Sequence, residues 1–210
     1  MKTLARAWKP YWQKRGGKAE WPWIRFVAAC VPTGSRVLDV GCGDGQLLAA
    51  LGRKGCRAEG IDVVHEAVAY CKRRGLRARA GDFLTARFAG GYDAVALSEV
   101  LAFVPEPERF LRRARQLLKA GGLVVVSAGN AGSVWSRIAR ARGKLPPEPE
   151  PPLYYRRFTQ ARLERLAESG GLRVAKWNSF SWWPRQGPRK VRLAHALRAR
   201  HFVAVLEPTE

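Results

Sequence analysis

Short apolar runs alternate with segments of helical spacing between residues 36 and 128. The apolar runs predict five strands, at residues 36–40, 57–61, 77–80, 92–97 and 123–128. Between them, apolar residues at helical spacing predict helices at 46–53, 64–74 and 107–118. This alternation is typical of βαβ units, so the sequence predicts an α/β fold built on a mostly parallel sheet with helices on both faces.

The pattern loosens after residue 128. A helix at residues 133–142 precedes a proline-rich run at 146–152, and Thr159 is predicted to cap a helix that reaches about residue 168. Two final strands are predicted at 172–180 and 201–206. We therefore divide the chain into a basic, aromatic helical cap at 1–34 and one domain at 35–210, with an insertion at about 131–158.

A glycine-rich turn follows the first strand directly. Gly41, Gly43 and Gly45 allow a ligand to approach the backbone, and the next helix offers free N–H groups at its start. The spacing is G-x-G-x-G, with Gln46 at the sixth position, which argues against a nicotinamide cofactor. Asp62 ends the second strand, where a carboxylate accepts hydrogen bonds from ribose hydroxyls; capping the following helix is an alternative role compatible with the first.

Five segments in order resemble the motifs of class I S-adenosylmethionine-dependent methyltransferases: residues 37–45, Asp62, residues 81–83, residues 92–101 and residues 118–123. The resemblance is to the small-molecule branch known as methyltransferase domain 11 or 12. It implies a Rossmann-like, seven-stranded, mostly parallel sheet of order 3-2-1-4-5-7-6, with S-adenosylmethionine as cofactor. Residues 127–144 also resemble the methionine-biosynthesis W-like proteins, over fewer distinctive positions.

The resemblance also implies a cofactor site. In it, Asp62 binds the ribose, Asp82 and Phe83 contact the adenine, and the glycine turn holds the methionine portion. Asp39 and Ser98 shape the methionine pocket. The whole expected set is Asp39, Gly41, Cys42, Gly43, Asp62, Val63, Gly81, Asp82, Phe83 and Ser98.

Three stretches that mix aromatic and basic residues are candidates for binding the methyl acceptor. The expected contacts are Trp12, Phe103, Trp135, Tyr154 and Arg156. Phe103 stands where many small-molecule members have histidine, so no obvious general base remains there and we assign no catalytic residue. Packing alone is an equally good interpretation of Phe103, and tryptophans in such stretches more often pack than bind ligands.

Composition adds a strong positive charge. Lys and Arg number 38 against 17 Asp and Glu, a formal net charge of +21. Such a chain attracts anionic partners, RNA included, although a general enrichment in Arg, Ala, Gly and Leu explains the charge equally well. The four cysteines lack CxxC spacing, so we expect no metal site and no disulfide framework.

No apolar run approaches the roughly 20 residues of a membrane span, and the N-terminus lacks the apolar core of a signal peptide. We therefore expect a cytoplasmic protein with no membrane partner. The leading hypothesis is a methyltransferase acting on a small anionic or aromatic molecule. The alternatives are an RNA methyltransferase held by its basic flanks, or a non-catalytic partner or regulatory protein of the same fold; the oligomeric state is left open.

Overall fold

A computed structural model describes residues 2–15, 21, 23–143, 156, 158–183, 187–191 and 201–209. The helices in these ranges are α1 (Lys2–Arg15), α2 (Ile24–Cys30), α3 (Gln46–Arg53), α4 (His65–Arg73), α5 (Pro107–Leu117), α6 (Val134–Ala141) and α7 (Gln160–Ser169). The strands are β1 (Arg36–Val40), β2 (Arg57–Asp62), β3 (Ala78–Ala80), β4 (Tyr92–Ser98), β5 (Leu118–Gly129), β6 (Leu172–Trp183), β7 (Gly187–Val191) and β8 (His201–Pro208).

All the strands form one sheet in the order β3-β2-β1-β4-β5-β8-β6-β7. The strands from β3 to β5 pair in parallel, and β8 runs antiparallel between β5 and β6. The expected order 3-2-1-4-5-7-6 is therefore confirmed. The sheet has one strand more than expected, because β6 extends past residue 180 and pairs antiparallel with β7 at the edge.

Side chains of the central strands alternate between two apolar layers, as the pleat of a sheet requires. On one face Val37, Ala96 and Val125 pack with α2 and α3. On the other, Leu38 and Val126 belong to a larger core shared with α5 and α7. Helices thus cover both faces, as predicted, and the β1, β4 and β5 strands are buried in between.

Local sequence fixes where the helices on the second face begin and what they bury. The side chains of α5 that reach the core are spaced for one helical face: Phe110, Leu111, Ala114 and Leu117. The Thr159 Oγ1 accepts a hydrogen bond from the Arg162 N–H at 3.2 Å, which confirms the predicted cap of α7. The proline-rich run at 146–152 lies outside the described residues.

Over the described ranges, no helix is both long and apolar enough to span a membrane. The cytoplasmic location, the division of the chain at residue 34 and the insertion at 131–158 stay predictions. The first 34 residues contain α1 and α2, and α6 lies within the expected insertion.

Gly60 of β2 packs closely against Cys42 of the glycine turn, and a substitution there tests this contact. A methyl group added at Gly60 would lie 2.7 Å from the Cys42 side chain and 2.9 Å from Leu48 Cδ1. We expect Gly60→Ala to lower the free energy of unfolding by about 1–3 kcal/mol, the usual cost of overpacking a core. Denaturant unfolding followed by circular dichroism measures it.

The matched control is Gly52→Ala in α3, where an added methyl group meets nothing within 4 Å. Because alanine favours a helix interior over glycine, this variant should be neutral or more stable by about 0.5–1 kcal/mol. Equal destabilisation by both substitutions would show that the contact with Cys42 has no energetic weight.

Candidate active site

The carboxyl ends of β1, β2 and β4 open into a cavity of about 360 Å³. Ligands of open parallel sheets bind in this position, where the strand order reverses. Helix α1 covers the cavity with Trp8, Tyr11 and Trp12. An ion pair of 2.9 Å between Lys9 Nζ and Glu66 Oε1 ties α1 to α4.

The glycine turn forms the floor, and its shape depends on residues without side chains. Gly41 and Gly43 both have positive φ, at 69° and 52°, a conformation that other residues rarely adopt. A methyl group on Gly41 would lie 2.5 Å from Val100 Cγ2, and one on Gly43 would lie 2.4 Å from the Trp12 ring. The turn backbone therefore contacts the loop that follows β4, at Val100, and helix α1, at Trp12.

Cys42 lies within this turn, lines the cavity and is buried. A hydrogen bond with Cys71 and burial raise the pKa of the Cys42 thiol well above its ordinary value. The Cys71 thiol lies 3.1 Å from the carbonyl of Gly43 and donates to it. Both thiols are free, and they pack the turn against α4.

Asp62 holds the turn from below. Its Oδ2 accepts a hydrogen bond from the Gly43 N–H and its Oδ1 one from the Val64 N–H, each at 2.9 Å. Burial raises the pKa of this carboxyl, against the opposing effect of its backbone hydrogen bonds. The capping position of α4 is Val64 rather than Asp62. A carboxylate can accept about four hydrogen bonds. The backbone N–H groups of Gly43, Val63 and Val64 use three of them, so one remains open to a ligand.

Asp39, at the end of β1, carries a buried oxygen that no hydrogen bond satisfies in the described part of the chain, Oδ2. Burial, and then the nearby carboxyl of Asp62, raise the pKa of Asp39 well above its ordinary value. Buried polar atoms are normally paired, so an unpaired carboxylate oxygen on a cavity wall indicates a place for a donor from a ligand.

The loop after β3 closes the far end of the cavity. Gly81, Phe83 and Val63 line it, and Phe83 is buried with its ring centroid 5.4 Å from that of Phe110. Asp82 does not line the cavity; its Oδ1 accepts a hydrogen bond from the Leu84 N–H at 2.9 Å. The adenine contact expected of Asp82 stays a prediction.

Two of the expected acceptor residues, Trp12 and Phe103, lie in the cavity wall. The Phe103 ring meets Trp8 edge to face, with centroids 4.8 Å apart. Trp135 on α6 does not line the cavity and is 43% exposed, and Tyr154 lies outside the described residues.

Arg156, the other expected acceptor residue, does not line the cavity either. Its backbone N–H donates to the carbonyl of Ala102 at 2.8 Å. Its guanidinium donates to the carbonyls of Val104 and of Pro105, the latter at 2.6 Å. Arg156 therefore holds the loop that carries Phe103, and its direct contact with an acceptor stays a prediction.

A second aromatic group, formed by Trp21, Trp23 and His201, also lines the cavity. Trp23 stacks between Trp21 and His201, with ring centroids 4.7 and 5.1 Å away. Gln46 connects this stack to the turn. Its Oε1 accepts a hydrogen bond from the backbone N–H of Trp21 at 2.7 Å, and its Nε2 donates one to Asp44 Oδ2 at 3.1 Å. Sequence spacing gives no sign of this group, because 178 positions separate Trp23 from His201.

Glu99 is the functional candidate that the sequence analysis missed. It follows β4 directly, lines the cavity and has a φ of 58°, the one positive value of a residue other than glycine in the described ranges. Such a conformation costs about 1–3 kcal/mol and is concentrated at functional sites. Burial raises the pKa of Glu99 to about 7, opposed by hydrogen bonds from Ser127 and the Gly129 backbone. A carboxyl group directly after the fourth strand was the available signal.

Comparison with known proteins supports the chemistry that this geometry allows. Residues 11–176 match the family model of a methyltransferase domain. The ubiquinone biosynthesis O-methyltransferase of Ralstonia nicotianae is 29% identical over 197 residues, 89% of this chain and 81% of that protein. The enzyme of the same name from Xanthomonas axonopodis pv. citri is 37% identical over 116 residues, which are 51% of this chain and 48% of that protein. The chain thus matches about half of that relative's length.

Solved structures share the fold at low sequence identity. Magnesium protoporphyrin IX methyltransferase from Synechocystis PCC 6803, solved with bound S-adenosylhomocysteine, aligns over 100% of both chains with a TM-score of 0.71 and 15% identity. The O-methyltransferase NcsB1 of neocarzinostatin biosynthesis aligns over 99% of this chain and 56% of its own, with a TM-score of 0.61 and 19% identity.

The family match spans more than three quarters of the chain, and the sheet order is the one expected for that family. The glycine turn, Asp39 and Asp62 meet in one cavity at the carboxyl ends of the strands. The chain therefore belongs to the class I S-adenosylmethionine-dependent methyltransferases.

Proposed function

We propose that this methyltransferase transfers the methyl group of S-adenosylmethionine to a hydroxyl group of a small aromatic acceptor. The observation that carries the proposal is the wall of the cavity around Glu99. The aromatic rings of Trp8, Trp12 and Phe103 line the same cavity as Glu99. A flat, apolar acceptor with an ionisable hydroxyl group matches such a wall.

The described residues fit the cofactor. The unpaired Oδ2 of Asp39 suits its ammonium group, and the open acceptor position on the Asp62 carboxylate suits a ribose hydroxyl. The glycine turn leaves room for backbone contact with the methionine portion, and Phe83 and Val63 offer apolar contacts to the adenine. The bound cofactor supplies a methyl group already activated by its sulfonium charge.

Charge in the cavity favours an aromatic acceptor over an anionic one. None of the Lys or Arg side chains that the structure describes lines the cavity, whereas Asp39, Asp44, Asp62 and Glu99 all do. A carboxylate held here would have no Lys or Arg partner among the described residues, and burying an unpaired ion is costly. Of the two acceptor classes expected from the sequence, the aromatic one therefore has the support of the cavity.

One relative supports oxygen as the accepting atom through its name, and one structural neighbour supports an aromatic acceptor through the molecule bound to it. The Ralstonia nicotianae relative is named an O-methyltransferase. NcsB1 was solved with S-adenosylhomocysteine and 1,4-dihydroxy-2-naphthoic acid, a hydroxylated aromatic molecule.

The chain's own residues perform three tasks in this reaction. The glycine turn and Asp62 fix one reactant, because the turn backbone is itself held by the Gly43 to Asp62 hydrogen bond. Trp12 and Phe103 orient the acceptor ring beside the turn, and Trp8 and Tyr11 of α1 line the same cavity. Holding two reactants in line accounts for a large part of the rate of such transfers.

The other two hypotheses have less support. Family and relatives favour an enzyme over a non-catalytic regulatory protein. RNA as a partner rests on the net charge of +21 alone and stays a prediction, as does the oligomeric state.

Replacing Asp62 tests the cofactor site. We expect Asp62→Asn to weaken binding of S-adenosylmethionine by about tenfold or more, about 1.4 kcal/mol, because the amide offers fewer acceptors to the ribose. Isothermal titration calorimetry measures the dissociation constant. Glu207→Gln is the matched control, since Glu207 is 44% exposed and pairs with Arg173 on the surface. Unchanged affinity in Asp62→Asn would remove Asp62 from the site.

Replacing Phe103 tests the acceptor site. With deuterated-methyl S-adenosylmethionine and a panel of uncharged phenols, catechols and naphthols, mass spectrometry should detect methyl ethers, with less transfer to the matching hydroxybenzoates. For the best acceptor, Phe103→Ala should raise KM by about tenfold, about 1.4 kcal/mol of lost ring contact, and Phe103→Leu by less.

Trp135→Ala, measured on the same acceptor, separates the two expected aromatic contacts. A rise in KM for Trp135→Ala together with no change for Phe103→Ala would move the acceptor site from the cavity to α6. Methyl esters in place of ethers would reassign the accepting group.

A further inference from the structure

We propose that Glu99 is the general base of the reaction, and that its carboxylate accepts the hydroxyl proton of the acceptor as the methyl group is transferred. This inference deepens the proposed function and rests on it. It supplies the catalytic residue that the replacement of histidine by Phe103 left unassigned.

Glu99 has a position in the cavity that suits a general base. Glu99 lines the cavity between Ser98, the last residue of β4, and Val100, whose side chain contacts Gly41 of the glycine turn. The carboxyl therefore belongs to the part of the cavity where the methionine portion of the cofactor and the acceptor meet. Phe103, three residues after Val100, lines the same cavity.

The carboxyl group is held in place by hydrogen bonds from β5. Ser127 Oγ donates to Glu99 Oε1 at 3.2 Å, and the backbone N–H of Gly129 donates to the same carboxyl group. Ser98 Oγ lies 3.0 Å from Ser127 Oγ and extends the network. Because Ser127 is fully buried within the sheet, the Glu99 carboxyl is anchored to a rigid element, although Glu99 itself stands just after the end of β4.

Neutral donors hold the carboxyl, and none of the Lys or Arg side chains that the structure describes lines the cavity beside it. Among the described cavity residues, the other titratable groups facing this space are Asp39 from β1, Cys42 and Asp44 from the glycine turn, Asp62 from β2, Tyr11 from α1 and His201 from β8. An ion pair would keep Glu99 charged and weakly basic. In its absence burial raises the pKa of Glu99 to about 7, close to the value that serves general-base catalysis near neutral pH.

The step balances without any further reactant. The acceptor oxygen forms a bond to the methyl carbon while its proton passes to a Glu99 oxygen. The bond between that carbon and the sulfonium sulfur breaks, and its electron pair stays on sulfur. A sulfonium cation and a carboxylate anion thus become a neutral thioether and a neutral carboxylic acid, which later loses its proton to solvent.

The variant that tests the base is Glu99→Gln, which keeps the shape of the side chain and removes its basicity. With a weakly acidic phenol, kcat should fall by about 10²- to 10⁴-fold, while the dissociation constant of S-adenosylmethionine changes little. The wild-type rate should also decline as pH falls below about 7, and that decline should be absent from the residual activity of the variant. Glu207→Gln is the control for loss of a surface carboxylate.

Acceptor acidity distinguishes a base from a merely structural residue. Two phenols of similar size, one of them already ionised at the assay pH through a nitro group, are compared in wild type and Glu99→Gln. The loss in kcat should be large for the neutral phenol and small for the ionised one. Equal losses for the two phenols, or no loss for either, would overturn the general base and leave the proposed function standing. Absence of transfer by the wild type to any hydroxyl group would overturn both.

Stability gives a second readout that needs no activity. The folded-state pKa of Glu99 lies above its ordinary value of 4.5, so its carboxyl favours folding below about pH 4.5 and that contribution is lost as pH rises through about 7. Glu99→Gln removes this dependence. The Tm of the variant relative to wild type should therefore be higher at pH 8 than at pH 5, and a difference independent of pH would contradict the enclosed carboxyl on which the base depends.

Discussion

The structure depends on a cavity that gathers carboxyl groups, which no Lys or Arg in the described ranges pairs with there. Asp39, Asp44, Asp62 and Glu99 all line it, and no described Lys or Arg does. Desolvating an unpaired carboxylate is expensive, which is why burial raises the pKa of three of them. The chain tolerates that cost where backbone N–H groups and a serine hydroxyl supply partial compensation. A ligand with a sulfonium and an ammonium group completes the electrostatics that the protein leaves open.

The glycine turn converts this electrostatic arrangement into a defined shape. Its backbone is fixed on one side by Asp62 and contacted on the others by Val100 and Trp12. Each contact requires the absence of a side chain on Gly41 or Gly43, so the turn, the loop after β4 and α1 constrain one another. The acidic cavity also contrasts with a chain of net charge +21. The described Lys and Arg side chains lie outside the cavity, so their charge acts on the site at longer range, where salt screens it.

Sequence patterns predicted those parts of the molecule that short-range order determines. The parallel strands, the glycine turn and the Thr159 cap each follow from residues close together in the chain, and the structure confirms them. The additional strand, β7, was not predicted because it depends on antiparallel pairing with the end of β6 at the sheet edge. The stack of Trp23 on His201 joins residues from opposite ends of the chain, which no local pattern records.

Glu99 illustrates why a residue's chemistry can stay hidden while its sequence position is plain. Its importance comes from a backbone conformation and from donors on β5, and both depend on the register of β4 against β5, which pairs Ser98 with Ser127. The position of Phe103 suggested the loss of a base, whereas the sheet supplies another carboxyl four residues earlier. A base anchored at the end of a strand is held in one orientation by the ladder, and the loop beyond it is then free to carry Phe103 as an apolar contact. Proton transfer and acceptor packing are thereby assigned to different residues of one short segment.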